Sequence, residues 1–403
     1  MGDMIDAIKT VGVLGLGVMG FDIAFLYAQK GYRTLVYDAS DGAMTNVPSR
    51  RDQTIERLKR RNRISETEAE TIRNGLMPAP ALASLARADL VTEAVSESGA
   101  TKKSVYKALR DGGFNGILTT NTSSLTRVSL LADGDYPNKL FATTHFFNPV
   151  LYTQMVEVVR GDMDDTGYAA LAVFLTDLGR KPVETQDISG FVSNSVLMVY
   201  AVMALRLVEA GASIEAVDGA AKALRALPPL FSFDSWKPSI VEDVTRVMFE
   251  FRGETFLRSS KLLAALARTN APFYVEQKAN AAIYDLIEAR GPGVDPSMVK
   301  LAMITSVRVA AARTVELGEA PATVDFISTE GLKFPGGPLA EIDELGAAAI
   351  LNDLQKVNAI LPRGMQGPEL LRAMADEKQT FYKDGRVSPW VSAFVGRRLH
   401  ARH

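Results

Sequence analysis

Short apolar runs divide the first half of the chain into regular pieces. They lie at residues 9–14, 34–37, 89–93, 116–120 and 140–144, and polar or helical stretches separate them. Such runs predict buried strands, and their alternation with helices is typical of a mostly parallel sheet with helices on both faces. The polar stretch 50–74 carries Ser65 and Glu68 at capping-box spacing, which predicts a solvated helical hairpin.

After residue 185 the pattern changes to long helical periodicities. Two of these run over residues 191–210 and 298–317, and Gly211 and Gly318 follow them as helix stops. We find no strand pattern in this part of the sequence. It is therefore expected to be entirely helical.

The two helical segments belong to an internal repeat. Six residues recur 107 positions later in the chain: Val208, Glu209, Gly211, Val217, Asp218 and Pro228 return as Val315, Glu316, Gly318, Val324, Asp325 and Pro335. One register that holds over a helix, a glycine stop and a Val-Asp pair favours duplication over shared composition. We expect an α/β domain over residues 1–186, with a helical-hairpin insertion around 48–76, and two tandem all-α domains over 187–290 and 291–403.

Composition narrows the class of protein. With 403 residues, 47% of them hydrophobic and 23% charged, the chain resembles soluble globular proteins. A net charge of -2 gives no general attraction to nucleic acid or to an anionic membrane, and the absence of cysteine excludes disulfides, thiolate metal sites and cysteine nucleophiles. No metal site, membrane span or signal peptide is expected, and the protein is predicted to be cytoplasmic.

A glycine-rich motif follows the first strand and opens a helix. In Gly-x-Gly-x-x-Gly, the first glycine makes the tight turn, the second lets a pyrophosphate approach and the third allows close helix packing. Asp38 ends the next strand, where a carboxylate binds ribose hydroxyls and repels a 2′-phosphate. These features predict a Rossmann-type domain that binds NAD rather than NADP. The expected contacts are Gly15, Gly17, Val18, Met19, Gly20 and Asp38.

Several further motifs carry a family resemblance. They are Asn121-Thr-Ser-Ser-Leu125, His145-Phe-Phe-Asn-Pro149, Val156-Glu-Val-Val-Arg160, Gly190-Phe-Val-Ser-Asn194 and Phe334-Pro-Gly-Gly-Pro338. With them the sequence resembles the L-3-hydroxyacyl-CoA dehydrogenase family over nearly its whole length. Its tandem helical domains are similar to the dehydrogenase part of multifunctional fatty-acid oxidation proteins, in which a second helical copy stands where a partner subunit packs in shorter relatives.

The resemblance implies roles for particular residues. His145 would be the general base for the 3-hydroxyl group, and Glu157 would fix its tautomer and stabilise the imidazolium. The remaining implied positions are Ser123 and Asn194 at the substrate oxygens, Asn148 and Ser123 at the nicotinamide end of the cofactor, and Glu97 and Lys102 along the cofactor cleft. The helical hairpin would shield the CoA portion of the substrate.

Some positions depart from the family pattern. Phe21 and Asp22 replace a small residue and a glycine in the first helix, and Ser189 and Ser195 replace a proline and an arginine. The first helical copy has Pro-Pro-Leu-Phe over 228–231, where the second copy retains the family's Phe-Pro-x-Gly-Pro pattern. These changes leave the catalytic set intact but affect positions near the expected cofactor and acyl pockets.

The resemblance implies an NAD-dependent oxidoreductase that interconverts L-3-hydroxyacyl-CoA and 3-ketoacyl-CoA, in fatty-acid β-oxidation or a related biosynthetic pathway. Its expected partner is an acyl-CoA or another acyl thioester, without nucleic acid or membrane, and it is expected to be a monomer or a weak homodimer. Two alternatives remain open: a dehydrogenase of a small hydroxy acid, and a non-catalytic NAD-binding protein comparable to crystallins.

Overall fold

The computed structural model describes residues 8–400. The chain forms two compact units, with the boundary between Asp187 and Ile188. The division of the second unit into two domains stays a prediction. Within residues 8–400, no helix combines the length and the apolar character that a membrane span requires.

In the described part of the first unit, eight strands form one sheet in the order β3-β2-β1-β4-β5-β6-β7-β8. The strands are β1 (Thr10–Leu14), β2 (Arg33–Tyr37), β3 (Leu76–Pro78), β4 (Leu90–Glu93), β5 (Ile117–Thr120), β6 (Phe141–Phe146), β7 (Met155–Val159) and β8 (Lys181–Glu184). Neighbouring strands pair in parallel, except that β6 and β7 are antiparallel. The mostly parallel sheet is confirmed. The five predicted strands are β1, β2, β4, β5 and β6.

The helices of the first unit connect these strands. They are α1 (Val18–Gln29), α2 (Asp41–Thr45), α3 (Val47–Arg60), α4 (Glu66–Gly75), α5 (Gly99–Asp111), α6 (Arg127–Leu131) and α7 (Asp165–Asp177), with 3₁₀ turns at Leu82–Arg87 and Asn138–Leu140. The predicted helical hairpin is α3 and α4. Ser65 and Glu68 form a full capping box at the start of α4, because each side chain accepts the backbone N–H of the other residue.

The second unit is mainly helical. Its helices are α8 (Ser193–Glu209), α9 (Ile214–Ala223), α10 (Pro229–Trp236), α11 (Pro238–Arg252), α12 (Lys261–Thr269), α13 (Pro296–Glu316), α14 (Pro321–Phe326), α15 (Pro338–Leu345), α16 (Ala347–Asn358), α17 (Glu369–Glu377) and α18 (Pro389–His400). Shorter 3₁₀ turns lie at Thr255–Leu257 and Ala281–Leu286, and a π-helical turn at Ile327–Gly331.

The expectation of an entirely helical second part is wrong in one respect. Two small hairpins occur there, β9 (Tyr274–Val275) with β10 (Lys278–Ala279), and β11 (Tyr382–Lys383) with β12 (Arg386–Val387). Their strands have two residues each, so they are too short to produce an alternating pattern. Each hairpin turns through two residues with positive φ.

The internal repeat is present in three dimensions. In the first copy, Asp218 accepts the N–H groups of Leu230 and Phe231 and the hydroxyl of Tyr274. In the second copy, Asp325 accepts the N–H groups of Leu339 and Ala340 and the hydroxyl of Tyr382. Each aspartate thus joins the start of a helix to a hairpin.

The predicted offset of 107 residues between the two copies does not hold for the prolines. Pro229 is the first residue of α10 and Pro338 is the first residue of α15, so these two residues correspond structurally. The match of Pro228 with Pro335 is therefore wrong, because the second copy has two more residues between its aspartate and this helix.

Candidate active site

The glycine loop between β1 and α1 is tightly packed on one side and open on the other. Gly15 has φ +90°, and a Cβ atom there would lie 2.7 Å from the Ala94 carbonyl group. A Cβ atom on Gly20 would lie 1.9 Å from the carbonyl oxygen of Gly15, whereas one on Gly17 would meet no atom within 4 Å. Two glycines are thus required by packing, and the third leaves room for a ligand.

Asp38 is fixed beside this loop. It follows β2 directly, and its two carboxylate oxygens accept the N–H groups of Leu16 at 2.6 Å and Ser40 at 2.8 Å. At the start of α1, the N–H groups of Val18 and Met19 have no partner in the part of the chain that the structure describes. Free N–H groups at a helix start suit a pyrophosphate, and a carboxylate at the end of β2 suits ribose hydroxyls.

The unusual Phe21 and Asp22 are accommodated by the arginines of α3. Phe21 is buried in the core, and the Arg50 guanidinium lies 4.0 Å from the centre of its ring. The same guanidinium donates to the Leu16 carbonyl at 2.6 Å. Burial raises the pKa of Asp22, while the Arg57 and Arg50 charges oppose that rise. Arg50 therefore supports the glycine loop, a role that the sequence analysis missed.

His145 and Glu157 face each other across two antiparallel strands. They are register partners in β6 and β7, and His145 Nδ1 lies 2.8 Å from Glu157 Oε2. Glu157 is fully buried, and His145 is 7% exposed. Directly opposed residues in an antiparallel pair place their side chains on the same face of the sheet, so the strand pairing itself creates this contact.

Neighbouring residues hold the strand that carries His145. The side-chain oxygen of Asn121 accepts the N–H group of Phe146 at 3.0 Å. The backbone N–H group of Asn121 donates to the Glu93 carbonyl at 2.7 Å. The Phe147 ring packs at a tilt on His145, with 5.6 Å between ring centres. Asn148 follows in an exposed turn, where the expected contact with nicotinamide stays a prediction.

Glu97 organises the loop that carries Ser123. Its Oε1 atom accepts the N–H groups of Ser123 and Ser124, both at 2.9 Å, and the hydroxyls of Thr122 and Ser124. Burial alone would raise the pKa of Glu97, but the Lys102 ammonium and these hydrogen bonds hold it below its usual range. The structure therefore gives Glu97 a positioning role for Ser123.

Lys102 is completely buried and holds two carboxylates. Its Nζ atom lies 2.8 Å from Glu93 Oε1 and 3.7 Å from Glu97 Oε2. Glu93, which the sequence analysis missed, is also fully buried, and it accepts the hydroxyls of Tyr106 and Thr120 as well. A lysine nine residues after a glutamate that ends a buried strand is the signal that could have indicated this ion pair.

Asn194 belongs to the second unit, where it lies buried in the first turn of α8. Next to it, the hydroxyl of Ser195 accepts a hydrogen bond from Arg252 Nη1 at 2.9 Å. The expected role of Asn194 at the substrate oxygens stays a prediction. Among the described residues, no group of three or more His, Asp or Glu side chains is placed to hold a metal ion.

The fold and the site together define a class of protein. A parallel sheet with a glycine loop after β1 and a carboxylate after β2 is the framework of a dinucleotide-binding domain. The same unit holds a histidine paired with a buried carboxylate, which is an arrangement suited to proton transfer. The first unit is that of a dinucleotide-dependent oxidoreductase.

Comparisons with known proteins define the family. The protein-family model of the 3-hydroxyacyl-CoA dehydrogenase NAD-binding domain matches residues 10–188, and the family model of the C-terminal domain matches residues 190–285. A 3-hydroxybutyryl-CoA dehydrogenase from Mycobacterium tuberculosis is 34% identical over 224 residues, which cover 54% of this chain and 77% of that protein. The chain belongs to the 3-hydroxyacyl-CoA dehydrogenase family and is an NAD-dependent oxidoreductase of that class.

Two solved structures extend this comparison. The (S)-3-hydroxybutyryl-CoA dehydrogenase from Ralstonia eutropha has a TM-score of 0.61 at 27% identity, covering 68% of this chain and 100% of that one. The 3-hydroxybutyryl-CoA dehydrogenase from Escherichia coli has a TM-score of 0.73 at 23% identity, covering 92% of this chain and 100% of that one, a likeness of fold alone. The predicted family, the Rossmann-type domain followed by a mainly helical part, the enzyme class and the cofactor are confirmed.

Proposed function

We propose that this enzyme interconverts L-3-hydroxyacyl-CoA and 3-ketoacyl-CoA with His145 as the general base and Glu157 as its orienting carboxylate. The observation that carries the proposal is the 2.8 Å contact between His145 Nδ1 and the fully buried Glu157. Because Glu157 holds Nδ1, Nε2 is the ring nitrogen with which His145 would exchange a proton with the substrate.

The chemistry follows from this geometry. His145 Nε2 accepts the proton of the C3 hydroxyl in the oxidative direction and returns it to the ketone oxygen in the reductive direction. Bound NAD supplies the acceptor for the hydride that leaves C3. Glu157 stabilises the imidazolium that forms, since a carboxylate in a buried position interacts strongly with an adjacent positive charge.

The N–H groups of Val18 and Met19 would bind the pyrophosphate, and Asp38 would bind the adenosine ribose. The loop of Ser123, held by Glu97, would meet the nicotinamide end and the substrate oxygens, as the family resemblance implies. Because these groups follow β1, β2 and β5, they belong to one edge of the sheet, where open α/β sheets bind their ligands.

The expected substrate is a thioester with a short acyl chain. The similar proteins from Mycobacterium tuberculosis and Ralstonia eutropha are named for 3-hydroxybutyryl-CoA, which makes the four-carbon substrate the first to test. The helical hairpin carries Arg57 and Arg60 in the last turn of α3, and these side chains would supply positive charge for the phosphates of CoA. A cytoplasmic location and a monomeric or weakly dimeric state remain part of the proposal.

The test is the oxidation of NADH, followed by absorbance, with acetoacetyl-CoA, with longer 3-ketoacyl-CoAs and with free keto acids. We expect turnover of the CoA thioesters and little turnover of the free acids. Preference for a free acid would favour the alternative of a small hydroxy-acid dehydrogenase. Tight NADH binding without turnover of any of these compounds would contradict the proposal.

A further inference from the structure

A second candidate ligand site lies within the helical unit, outside the residues assigned to dehydrogenation. It is a cleft of about 310 Å³ between the end of α8, the start of α12 and residues 287–289 and 362–363. Its charged lining residues are Arg206, Glu209, Lys261, Glu288 and Arg363. Three cations and two carboxylates leave the lining with an excess of positive charge.

The two carboxylates are already paired. Glu209 Oε2 lies 3.0 Å from Arg206 Nη1, and Glu288 forms an ion pair with Lys261. Arg363 has no carboxylate partner among residues 8–400, and its Nη1 atom is buried without a hydrogen-bond partner. This guanidinium is therefore the positive charge of the cleft that the protein itself does not neutralise.

Arg206 adds a second guanidinium group to the positive charge of the cleft. Its side chain is 6% exposed, and its Nε atom is buried without a hydrogen-bond partner, although Nη1 and Nη2 are bonded. Burial lowers the pKa of Arg206, Glu209 opposes that shift, and the charge of Arg363 adds to it. Two guanidinium groups in one cleft repel each other, so an anion between them would be stabilised.

The start of α12 adds backbone donors. This helix has nine residues, and Ser260 caps it by accepting the N–H group of Leu263 at 3.1 Å. The N–H groups of Lys261 and Leu262 have no partner among the described residues, and both residues line the cleft. Unpaired N–H groups and the helix dipole favour an anion at this position.

The second copy of the repeat provides an internal comparison. Its helix α17 corresponds to α12, with Glu369 and Leu370 at the positions of Lys261 and Leu262, 108 residues later. There the N–H group of Leu370 donates to Glu316 at 3.1 Å, and Glu369 forms an ion pair with Arg398 of α18. In the second copy the protein's own carboxylates thus bond to the N–H group of Leu370 at the helix start and to Arg398 Nη1.

We propose that the cleft at the start of α12 binds a small organic anion through a carboxylate or phosphate group. Arg363 and the N–H groups of Lys261 and Leu262 are its ligands. In the second copy, by contrast, Glu316 accepts the N–H group at the position equivalent to Leu262, and Glu369 replaces Lys261. A volume of about 310 Å³ holds more than a single phosphate ion, so the anionic group belongs to a small molecule.

The test uses the full chain, with inorganic phosphate and succinate as probes in separate titrations at constant ionic strength. Isothermal titration calorimetry should detect saturable binding of at least one probe. Arg363→Gln and Lys261→Glu, which introduces the residue type of the second copy, should each weaken binding about tenfold or more. The probe that binds more tightly distinguishes a phosphate ligand from a carboxylate ligand.

Arg268→Gln is the matched control, because Arg268 is an exposed cation in the last turn of the same helix. This variant should bind the probes as the unmodified protein does. The proposal is overturned if neither probe binds saturably, or if Arg363→Gln binds as tightly as Arg268→Gln. Far-ultraviolet circular dichroism verifies that each variant is folded before it is titrated.

Discussion

Two carboxylates of the first unit, Glu157 and Glu93, are equally buried but have different partners. Glu157 lies against His145, whose side chain reaches the protein surface in part. Glu93 lies against Lys102, which is fully buried itself, and it also accepts hydroxyl hydrogen bonds. Both carboxylates are therefore satisfied, one by a titratable ring and the other by a buried ammonium.

The difference shows what a buried carboxylate needs in order to take part in a reaction. Histidine gains and loses a proton near neutral pH, so a carboxylate beside it can assist proton transfer to a substrate. A lysine paired with a carboxylate in the interior instead fixes the surrounding chain. Glu93 holds Lys102, Lys102 in turn lies beside Glu97, and Glu97 holds the loop of Ser123.

The largest expected effect on stability comes from Glu93. Glu93→Gln removes the closest counter-charge of a fully buried ammonium, so it should lower the free energy of unfolding by about 3 kcal/mol. Urea denaturation measures this loss, and Glu70→Gln, at an exposed position of α4, serves as the control. Equal stability of the two variants would contradict the structural role of Glu93.

A carboxylate that we propose to bind the cofactor ribose sharpens the comparison. Asp38 is only half buried and is bonded to backbone N–H groups, so its removal should leave the fold intact. Asp38→Ala should reduce the preference for NAD over NADP about tenfold, because the repulsion of a 2′-phosphate is lost. The ratio of kcat/KM for the two cofactors measures the change, with exposed Asp41→Ala as the control. An unchanged ratio would remove Asp38 from the cofactor site.

A smaller effect concerns pH. Because the folded-state pKa of Glu97 is depressed below its ordinary value of 4.5, the folded protein binds fewer protons here than the unfolded chain. The contribution of Glu97 is therefore fully present above about pH 4.5 and is lost as the pH falls through the folded-state pKa. The stability difference between the unmodified protein and Glu97→Gln should shrink on acidification, and a constant difference would contradict this coupling.

The sequence predicts five of the eight sheet strands and the cofactor loop, because short apolar runs and required glycines leave local signals. It does not predict β3, β7 or β8, and in β7 the charged residue Glu157 interrupts the apolar run. For that reason Glu157 could be read as a solvated strand end, whereas the antiparallel pairing buries it completely. The family resemblance, and not the local pattern, identifies Glu157 as the partner of His145.

The repeat illustrates a second limit of prediction from the sequence. Identical residues reveal the duplication, but a fixed offset cannot follow a change in loop length. The offset between equivalent residues is therefore 107 positions for Asp218 and Asp325, and 109 positions for Pro229 and Pro338. The Asp384-Gly385 pair is a known hairpin signal, and it could have indicated β11 and β12.

The most direct test of the account is the activity of His145→Gln. The amide can still form hydrogen bonds but cannot hold a proton near neutral pH, so turnover of acetoacetyl-CoA should fall roughly 10²–10⁴-fold. Glu157→Gln should cost less, and the double variant should be little worse than His145→Gln, because the two residues act as one unit. NADH affinity, measured by fluorescence, should be the same in all these variants. If His145→Gln kept most of its activity while NADH binding was unchanged, His145 would not be the base.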